Sequence, residues 1–167
     1  KLVLALEQRN RDQNPREKRA VCVADVSTAF LHATVSDDAQ EGEKQEEFWV
    51  WPPAEAQEPE GHAWRLLKAL YGLKQSPRRW YLHLRRVLEG MGYHASSRDP
   101  CLFVKNACKG GWFESVICIH VDDLLCVGRG DTVAGDIERL SRVVVLKSIL
   151  KDSRQDAEWQ YLGRRLR

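Results

Sequence analysis

The chain has 167 residues, 43% of them hydrophobic and 30% charged, and its 26 basic residues nearly balance its 24 acidic ones. This length and composition are those of one ordinary globular domain with a sizeable core, and they exclude wholesale disorder. We expect no transmembrane helix because no run of about 18 apolar residues occurs. The N-terminal sequence also lacks the apolar core and cleavage site of a secretory signal.

In chain order, a short helical start is followed by a polar stretch, 7–20, which we interpret as an exposed connection. The run Val21–Ala24 is apolar and β-like and ends at Asp25. Residues 36–47 are strongly acidic, as is typical of a solvated loop. Pro77 in a first turn and Gly90 at the end predict a helix over Arg78–Glu89.

The second half of the chain is predicted to contain strands at 101–104, 115–119 and 124–127, the first two joined by a glycine-rich connection around Gly110. Residues 132–150 mix helical signals with the β-branched run Val143–Val145, so this element is left open. The five cysteines form no CxxC pair, which argues against a zinc ribbon or a redox motif. Three of them lie in apolar runs and are interpreted as buried thiols in a reducing compartment.

Two adjacent acids, Asp122 and Asp123, stand between two apolar runs with almost no room for a loop, so we expect the pair to cap a tight hairpin. Such loops favour Asn-Gly or Asp-Gly, since they need positive φ, and two neighbouring carboxylates repel each other. A divalent cation such as Mg²⁺ removes this conflict because carboxylate oxygens ligate it. The other interpretation is an ordinary solvated turn, in which aspartate is common.

A third acid, Asp25, also ends an apolar strand-like run. If that strand is a neighbour of the hairpin, three carboxylates converge on two cations about 4 Å apart. This arrangement stabilises the attacking and leaving oxygens of a phosphoryl displacement.

Several blocks of sequence resemble those of one known family. Residues 25–31, DVSTAFL, are similar to its first-aspartate block, and residues 70–81, LYGLKQSPRRWY, to its signature block. Val121-Asp122-Asp123 is similar to its Y-V-D-D block, and residues 98–103, RDPCLF, to its D-x-C-L-[YF] segment. Over residues 20–130 the chain thus resembles the reverse transcriptase domain of copia-type LTR retrotransposon polyproteins.

The resemblance implies an α+β fold: a polymerase palm with an antiparallel sheet backed by helices. Residues 1–167 would form a single palm-centred domain with fingers and thumb largely absent, and residues 147–167 would start the connection to a primer grip and thumb. The implied activity is an RNA-directed DNA polymerase that transfers a nucleotide from a dNTP to a primer 3′-hydroxyl.

The resemblance also assigns residues to roles. Asp25, Asp122 and Asp123 would be catalytic and, with the Val26 carbonyl, would hold two Mg²⁺ ions, for which Mn²⁺ can substitute. Phe30 and Gln75 would contact the nucleotide. The residues assigned to nucleic-acid binding are Lys74, Arg78, His120, Val121, Leu162 and Gly163.

The individual residues leave other interpretations open. Phe30 also fits a core aromatic, Gln75 a solvated turn residue, and Arg78 the outer face of an amphipathic helix. His120 replaces the tyrosine that opens the family's Y-V-D-D block, and it also fits a half-exposed strand residue without a chemical role.

The partners implied by the resemblance are an RNA or DNA template with its primer, dNTPs and the remainder of a parent polyprotein, with no membrane. The expected location is intracellular, in the cytoplasm within a virus-like particle or in the nucleus. One alternative is an inactive palm relic or nucleic-acid-binding module. Another is a metal-dependent phosphodiesterase that uses the same three carboxylates, which would leave the 70–81 block without a role.

Overall fold

The computed structural model describes residues 2–13, 17–35, 47–106, 113–151, 159–162 and 164–166. Its helices and strands are, in order, α1 (Leu2–Gln13), β1 (Arg19–Val26), β2 (Trp49–Val50), β3 (Trp64–Arg65), α2 (Ser76–Gly90), β4 (His94–Ala95), β5 (Leu102–Lys105), β6 (Ser115–His120), β7 (Asp123–Arg129), α3 (Gly130–Ser141), β8 (Leu146–Lys151), β9 (Trp159–Tyr161) and β10 (Arg164–Leu166). In this part of the chain no helix has the length and apolar character needed to cross a membrane.

Six of the strands form one sheet in the order β4-β5-β6-β7-β1-β8, and every neighbouring pair is antiparallel. The early strand β1 therefore lies between two late strands, β7 and β8. Helix α3 packs against β1 and β7. This confirms the predicted α+β class with an antiparallel sheet backed by helices.

The chain divides into two compact units. The first, residues 1–27 with 85–167, contains the six-stranded sheet. The second, residues 28–84, contains the small β2–β3 hairpin and the first part of α2. The expectation of one domain over residues 1–167 stays a prediction.

Both faces of the large sheet carry buried apolar side chains, and on one of them these side chains, at alternating positions of the strands, form a single cluster. This buried cluster consists of Val3, Val21, Val23, Phe113, Val116, Leu125 and Val127. Successive side chains of a strand point to opposite faces, so Val21 and Val23 of β1 lie on the same face. Burial of each such side chain contributes about 1.5–3 kcal/mol, and this cluster fixes the register of β1 against β7.

Helix α1 is longer than the sequence suggested. The polar stretch that was interpreted as an exposed connection continues the helix to Gln13, so that interpretation was wrong over residues 7–13. Glutamate, glutamine and arginine are good helix formers, and Val3 anchors the helix in the buried cluster.

A polar network is buried elsewhere in the same unit. Tyr93 donates its hydroxyl proton to Asp136 Oδ2 at 2.8 Å and also contacts the Ser115 hydroxyl. Lys105 Nζ lies 2.8 and 2.9 Å from the two Asp136 oxygens. Burial, chiefly, raises the pKa of Tyr93. The network ties α3 to β5 and β6, because a buried polar group is stable only when it is paired.

Most remaining element predictions are confirmed. The helix predicted over 78–89 is α2, and the three predicted strands correspond to β5, β6 and β7. The element left open over 132–150 is most of α3 followed by β8, with Val143–Val145 between them. The acidic loop over 36–46 and the glycine-rich connection around Gly110 lie outside the described residues.

Candidate active site

Two of the predicted catalytic carboxylates lie directly opposite each other on adjacent strands. In the register of β1 with β7, Asp25 is the partner of Asp123. Asp25 follows Val23 by two residues in β1, and Asp123 precedes Leu125 by two residues in β7. Because alternate residues of a strand share a face, both acids lie on the face of the sheet that carries the buried cluster. The neighbouring ends of β1 and β7 therefore present a pair of acids.

The turn between β6 and β7 consists of Val121 and Asp122, since His120 pairs with Asp123. The expectation that Asp122 and Asp123 together cap the hairpin was wrong by one residue, because pairing with Asp25 draws Asp123 into the strand. Positive φ, which a tight turn requires, falls on Val121 at 55°. For a β-branched residue this is a strained conformation, of the kind that concentrates at functional sites.

The backbone after Asp25 holds this corner together. The register of β1 against β8 shifts between Asp25 and Val26, and such irregularities are common beside active sites. The Val26 N–H donates to the Asp122 carbonyl at 2.8 Å, and the Ser27 N–H donates to the Val145 carbonyl at 2.7 Å. The Val26 side chain is buried. The end of β1 is thus fixed both to the hairpin turn and to the segment that precedes β8.

The carboxylates interact electrostatically. Partial burial raises the pKa of Asp123, and the negative charges of Asp122 and Asp25 raise it further. The positive charge available to His120, across the strand pair, acts in the opposite direction. Asp122 and Asp25 are therefore close enough to Asp123 to disfavour its ionisation.

Asp25 has one oxygen that lacks a hydrogen bond although it is buried. No donor lies within hydrogen-bonding distance of Asp25 Oδ1 in the described structure, and Lys147 Nζ is 3.8 Å away. That distance makes an ion pair but is too long for a hydrogen bond. Lys147 was missed by the sequence analysis; the only signal for it was the unassigned β8, whose Ser148 pairs with Asp25.

The carboxylates of Asp25, Asp122 and Asp123 suit a hard divalent cation, because carboxylate oxygens are its preferred ligands. One of these oxygens, Asp25 Oδ1, accepts no hydrogen bond from the described protein. Among the described side chains, however, no three His, Cys, Asp or Glu residues are grouped as a metal site. The set of two ions held by Asp25, Val26, Asp122 and Asp123 therefore stays a prediction.

The predicted primer-grip segment begins near the acidic corner. β9 pairs with β10 so that Tyr161 lies opposite Arg164, and the exposed Leu162 stands in the turn with φ 51°. Gly163 lies outside the described residues. Tyr161 packs against the apolar cluster, and its pKa is raised mainly by burial and by Cys118, with a smaller contribution from the charge of Asp123.

The other predicted contacts lie in the second unit. Phe30 is half-buried in the 3₁₀ helix Ala29–His32, and its ring centre is 4.4 Å from that of Tyr71. Gln75 is half-buried just before α2 and accepts the Arg79 N–H at 3.0 Å through its backbone carbonyl. Lys74 and Arg78 are exposed.

Two residues of the signature block, Gly72 and Ser76, shape the chain just before and at the start of α2 in the second unit. Gly72 has φ 95°, a conformation that side-chain-bearing residues rarely adopt. The Ser76 hydroxyl donates to the Leu70 carbonyl at 2.6 Å and is buried at the start of α2. Glycine and serine in LYGLKQSP thus shape the entry of the helix.

An antiparallel sheet with acids at the ends of two adjacent interior strands and with helices packed behind it has the architecture of a polymerase palm. A family profile described as "Reverse transcriptase (RNA-dependent DNA polymerase)" matches residues 11–155. The chain therefore belongs to this reverse transcriptase family.

Relatives from copia-type transposons agree with this membership. The chain is 33% identical over 107 residues to the "Retrovirus-related Pol polyprotein from transposon TNT 1-94" of Nicotiana tabacum, covering 63% of the chain. It is 36% and 37% identical over 111 residues, or 65% of the chain, to the corresponding polyproteins from transposons RE1 and RE2 of Arabidopsis thaliana. The matched region spans 7% of the length of each of these relatives.

Proposed function

We propose that this chain is the palm-centred part of a retrotransposon reverse transcriptase and transfers nucleotides from dNTPs to a primer 3′-hydroxyl. The observation that carries the proposal is the pairing of Asp25 with Asp123 beside the strained Val121–Asp122 turn. Membership of the reverse transcriptase family supports the choice of reaction.

In this proposal Asp25, Asp122 and Asp123, with the Val26 carbonyl, would hold Mg²⁺, or Mn²⁺ in its place. When bound, the two ions supply Lewis-acid stabilisation of the attacking and leaving oxygens of a phosphoryl transfer. The protein's own contribution is position and charge. Asp25 and Asp123 are supplied by adjacent strands, and the Val26–Asp122 hydrogen bond holds the turn against β1.

The assignments outside the carboxylates are proposals to be tested one at a time. His120 and Val121 are exposed at the hairpin tip, which suits contact with a primer–template. Leu162 and Gly163 would contact the primer, and Lys74 and Arg78 would neutralise phosphates. Phe30 and Gln75 would contact the nucleotide. The proposed partners are a template with primer, dNTPs and the remainder of a polyprotein, in a virus-like particle or the nucleus.

The direct test is primer extension by the full chain on an RNA template with dNTPs and Mg²⁺ or Mn²⁺. We expect incorporation that falls about a hundred- to a thousandfold in Asp122→Asn, because removal of one group that stabilises transition-state charge costs about that much. Asp12→Asn, a matched change on the surface of α1, should retain activity.

The alternatives give different results in the same assay. Binding of primer–template without incorporation would identify an inactive relic or a nucleic-acid-binding module. Cleavage of nucleic acid without any need for dNTPs would identify a phosphodiesterase. Either result overturns the polymerase proposal.

A further inference from the structure

The β2–β3 hairpin of the second unit has an unusual distribution of apolar side chains. Trp49 pairs with Arg65 and Val50 with Trp64, and the Leu66 N–H extends the pairing by donating to the Phe48 carbonyl at 2.8 Å. Alternation then divides the hairpin into two faces. On the face with Phe48, Val50, Trp64 and Leu66 every side chain except Trp64 is half-buried, whereas Trp64 is 42% exposed. Phe48 stacks under the Arg79 guanidinium at 4.6 Å.

The opposite face, which we call the tryptophan face, consists of Trp49, Trp51, Arg65 and Leu67. More than half of the surface of each apolar side chain on this face is exposed: Trp49 is 57% exposed, Trp51 76% and Leu67 65%. Strands that are apolar on both sides are normally buried on both sides. A group of large exposed apolar side chains on a small unit marks an interaction surface rather than ordinary exposure.

The charges around this face indicate what kind of partner fits it. Residues 47–63 contain four glutamates and no lysine or arginine. The one cation on the face, Arg65, is 3.1 Å from Glu47 and so is already paired. Glu58 accepts the indole N–H of Trp64, on the other face of the hairpin, at 3.0 Å, whereas Glu55 and Glu60 are exposed on the segment that joins β2 to β3. A phosphate backbone would meet net negative charge here, which opposes nucleic-acid binding.

We propose that the tryptophan face binds an arginine-bearing apolar segment of a protein. Guanidinium groups stack on indole rings and pair with carboxylates, so one segment can satisfy both the exposed tryptophans and the exposed Glu55 and Glu60 of the segment that joins β2 to β3. Tryptophan is also enriched among the residues that dominate binding energy at protein interfaces. This surface is independent of the acidic corner and of the polymerase proposal.

The test measures the fluorescence anisotropy of labelled probes added to the full chain. The probes are a short peptide of alternating leucine and arginine, its lysine and glutamate counterparts, and an oligothymidylate. We expect the arginine peptide to bind most tightly and the glutamate peptide not to bind. The double variant Trp49→Ala, Trp51→Ala should bind the arginine peptide at least tenfold more weakly than the wild type. The double variant Glu55→Gln, Glu60→Gln should bind it a few-fold more weakly.

The control is Val143→Ala, which shortens an exposed apolar side chain in the other unit and should leave peptide binding unchanged. Thermal unfolding by circular dichroism checks that the double tryptophan variant remains folded. The proposal is overturned if that variant binds the arginine peptide as well as the wild type does. It is also overturned if the tryptophans are needed for oligothymidylate instead, or if sedimentation shows that the face joins two copies of the chain.

Discussion

Val26 donates its backbone N–H to the carbonyl of Asp122 at 2.8 Å. Because Val26 directly follows Asp25 and Asp122 directly precedes Asp123, this bond links the segments that carry all three predicted catalytic acids. Main-chain hydrogen bonds, rather than contacts between side chains, therefore fix the backbone positions of the three aspartates. Because of this, replacing one carboxylate by its amide should leave the corner folded. Loss of activity in such a variant can then be interpreted as loss of chemistry.

The turn residue Val121 offers a test of stored strain. A left-handed conformation costs an ordinary residue roughly 1–2 kcal/mol, and asparagine tolerates it better. We expect Val121→Asn to raise the free energy of unfolding by about 1 kcal/mol in denaturant titrations. Val143→Asn, also an exposed valine but without positive φ, should show no gain. A loss of stability in Val121→Asn would show that the turn is not strained.

The raised pKa of Asp123 predicts how stability changes with pH in metal-free buffer. The folded state holds the proton more tightly than the unfolded state, whose ordinary value is near 3.8. Stability therefore falls as the pH rises from that value through the raised pKa, because the ionised carboxyl is disfavoured by burial and by its acidic neighbours.

The measurement is the unfolding free energy of Asp123→Asn and of the wild type across acidic to neutral pH. The variant should be the more stable at neutral pH, and the difference should disappear towards about pH 3. Asp12→Asn on the surface of α1 provides the reference for an exposed carboxyl. A variant less stable than the wild type at neutral pH would contradict the direction of the shift.

Lys147 supplies a prediction about cation binding that depends on the proposed metal site. Its ammonium group lies 3.8 Å from Asp25 Oδ1 and so competes with any other cation there. A unit charge at that distance is worth about 1 kcal/mol in water, so Lys147→Gln should bind Mn²⁺ about fivefold more tightly. Electron paramagnetic resonance of free Mn²⁺ measures this without catalysis. Lys18→Gln is the matched control, and unchanged affinity in Lys147→Gln would reject the competition.

Gly128 tests how closely β6 and β7 approach each other. A Cβ atom there would collide with the Glu114 carbonyl oxygen and would lie 2.5 Å from Ser115 Cα, both of them backbone atoms. Gly128→Ala should therefore lower the free energy of unfolding by about 3 kcal/mol. Gly135→Ala in α3 meets nothing within 4 Å and should raise it by about 1 kcal/mol. Equal effects of the two changes would refute the close approach.

Much of the sheet was predictable because its strands are short apolar runs with clear ends. The run before Asp25 and the runs around Asp122 each indicated a strand, and Pro77 with Gly90 indicated α2. These signals are local, since they depend on side-chain alternation, a fixed proline φ and a glycine stop. The convergence of the two acidic segments was a hypothesis, and the register of β1 with β7 places Asp25 opposite Asp123.

The sequence could not predict the pairing register of the strands or which distant segments lie next to each other in the sheet. Whether Asp122 or Asp123 begins β7 depends on which residue pairs with Asp25, and no local pattern specifies that. Lys147 was missed for the same reason, because its contact with Asp25 exists only once β8 pairs with β1. The length of helix α1 was underestimated because a polar helix and a polar loop can have the same amino-acid composition. The burial of Val3, which anchors the helix on the protein, is visible only in the structure.

The position of β1 between β7 and β8 also determines when this protein can fold during its synthesis. On the ribosome β1 emerges well before β7 and β8, so the main-chain groups along both of its edges stay unpaired while the segment between Val26 and Asp123 is made. Unpaired edges of this kind recruit other chains, and pairings between distant segments form slowly. A stalled or truncated nascent chain that ends before β7 would therefore be prone to aggregate rather than merely inactive.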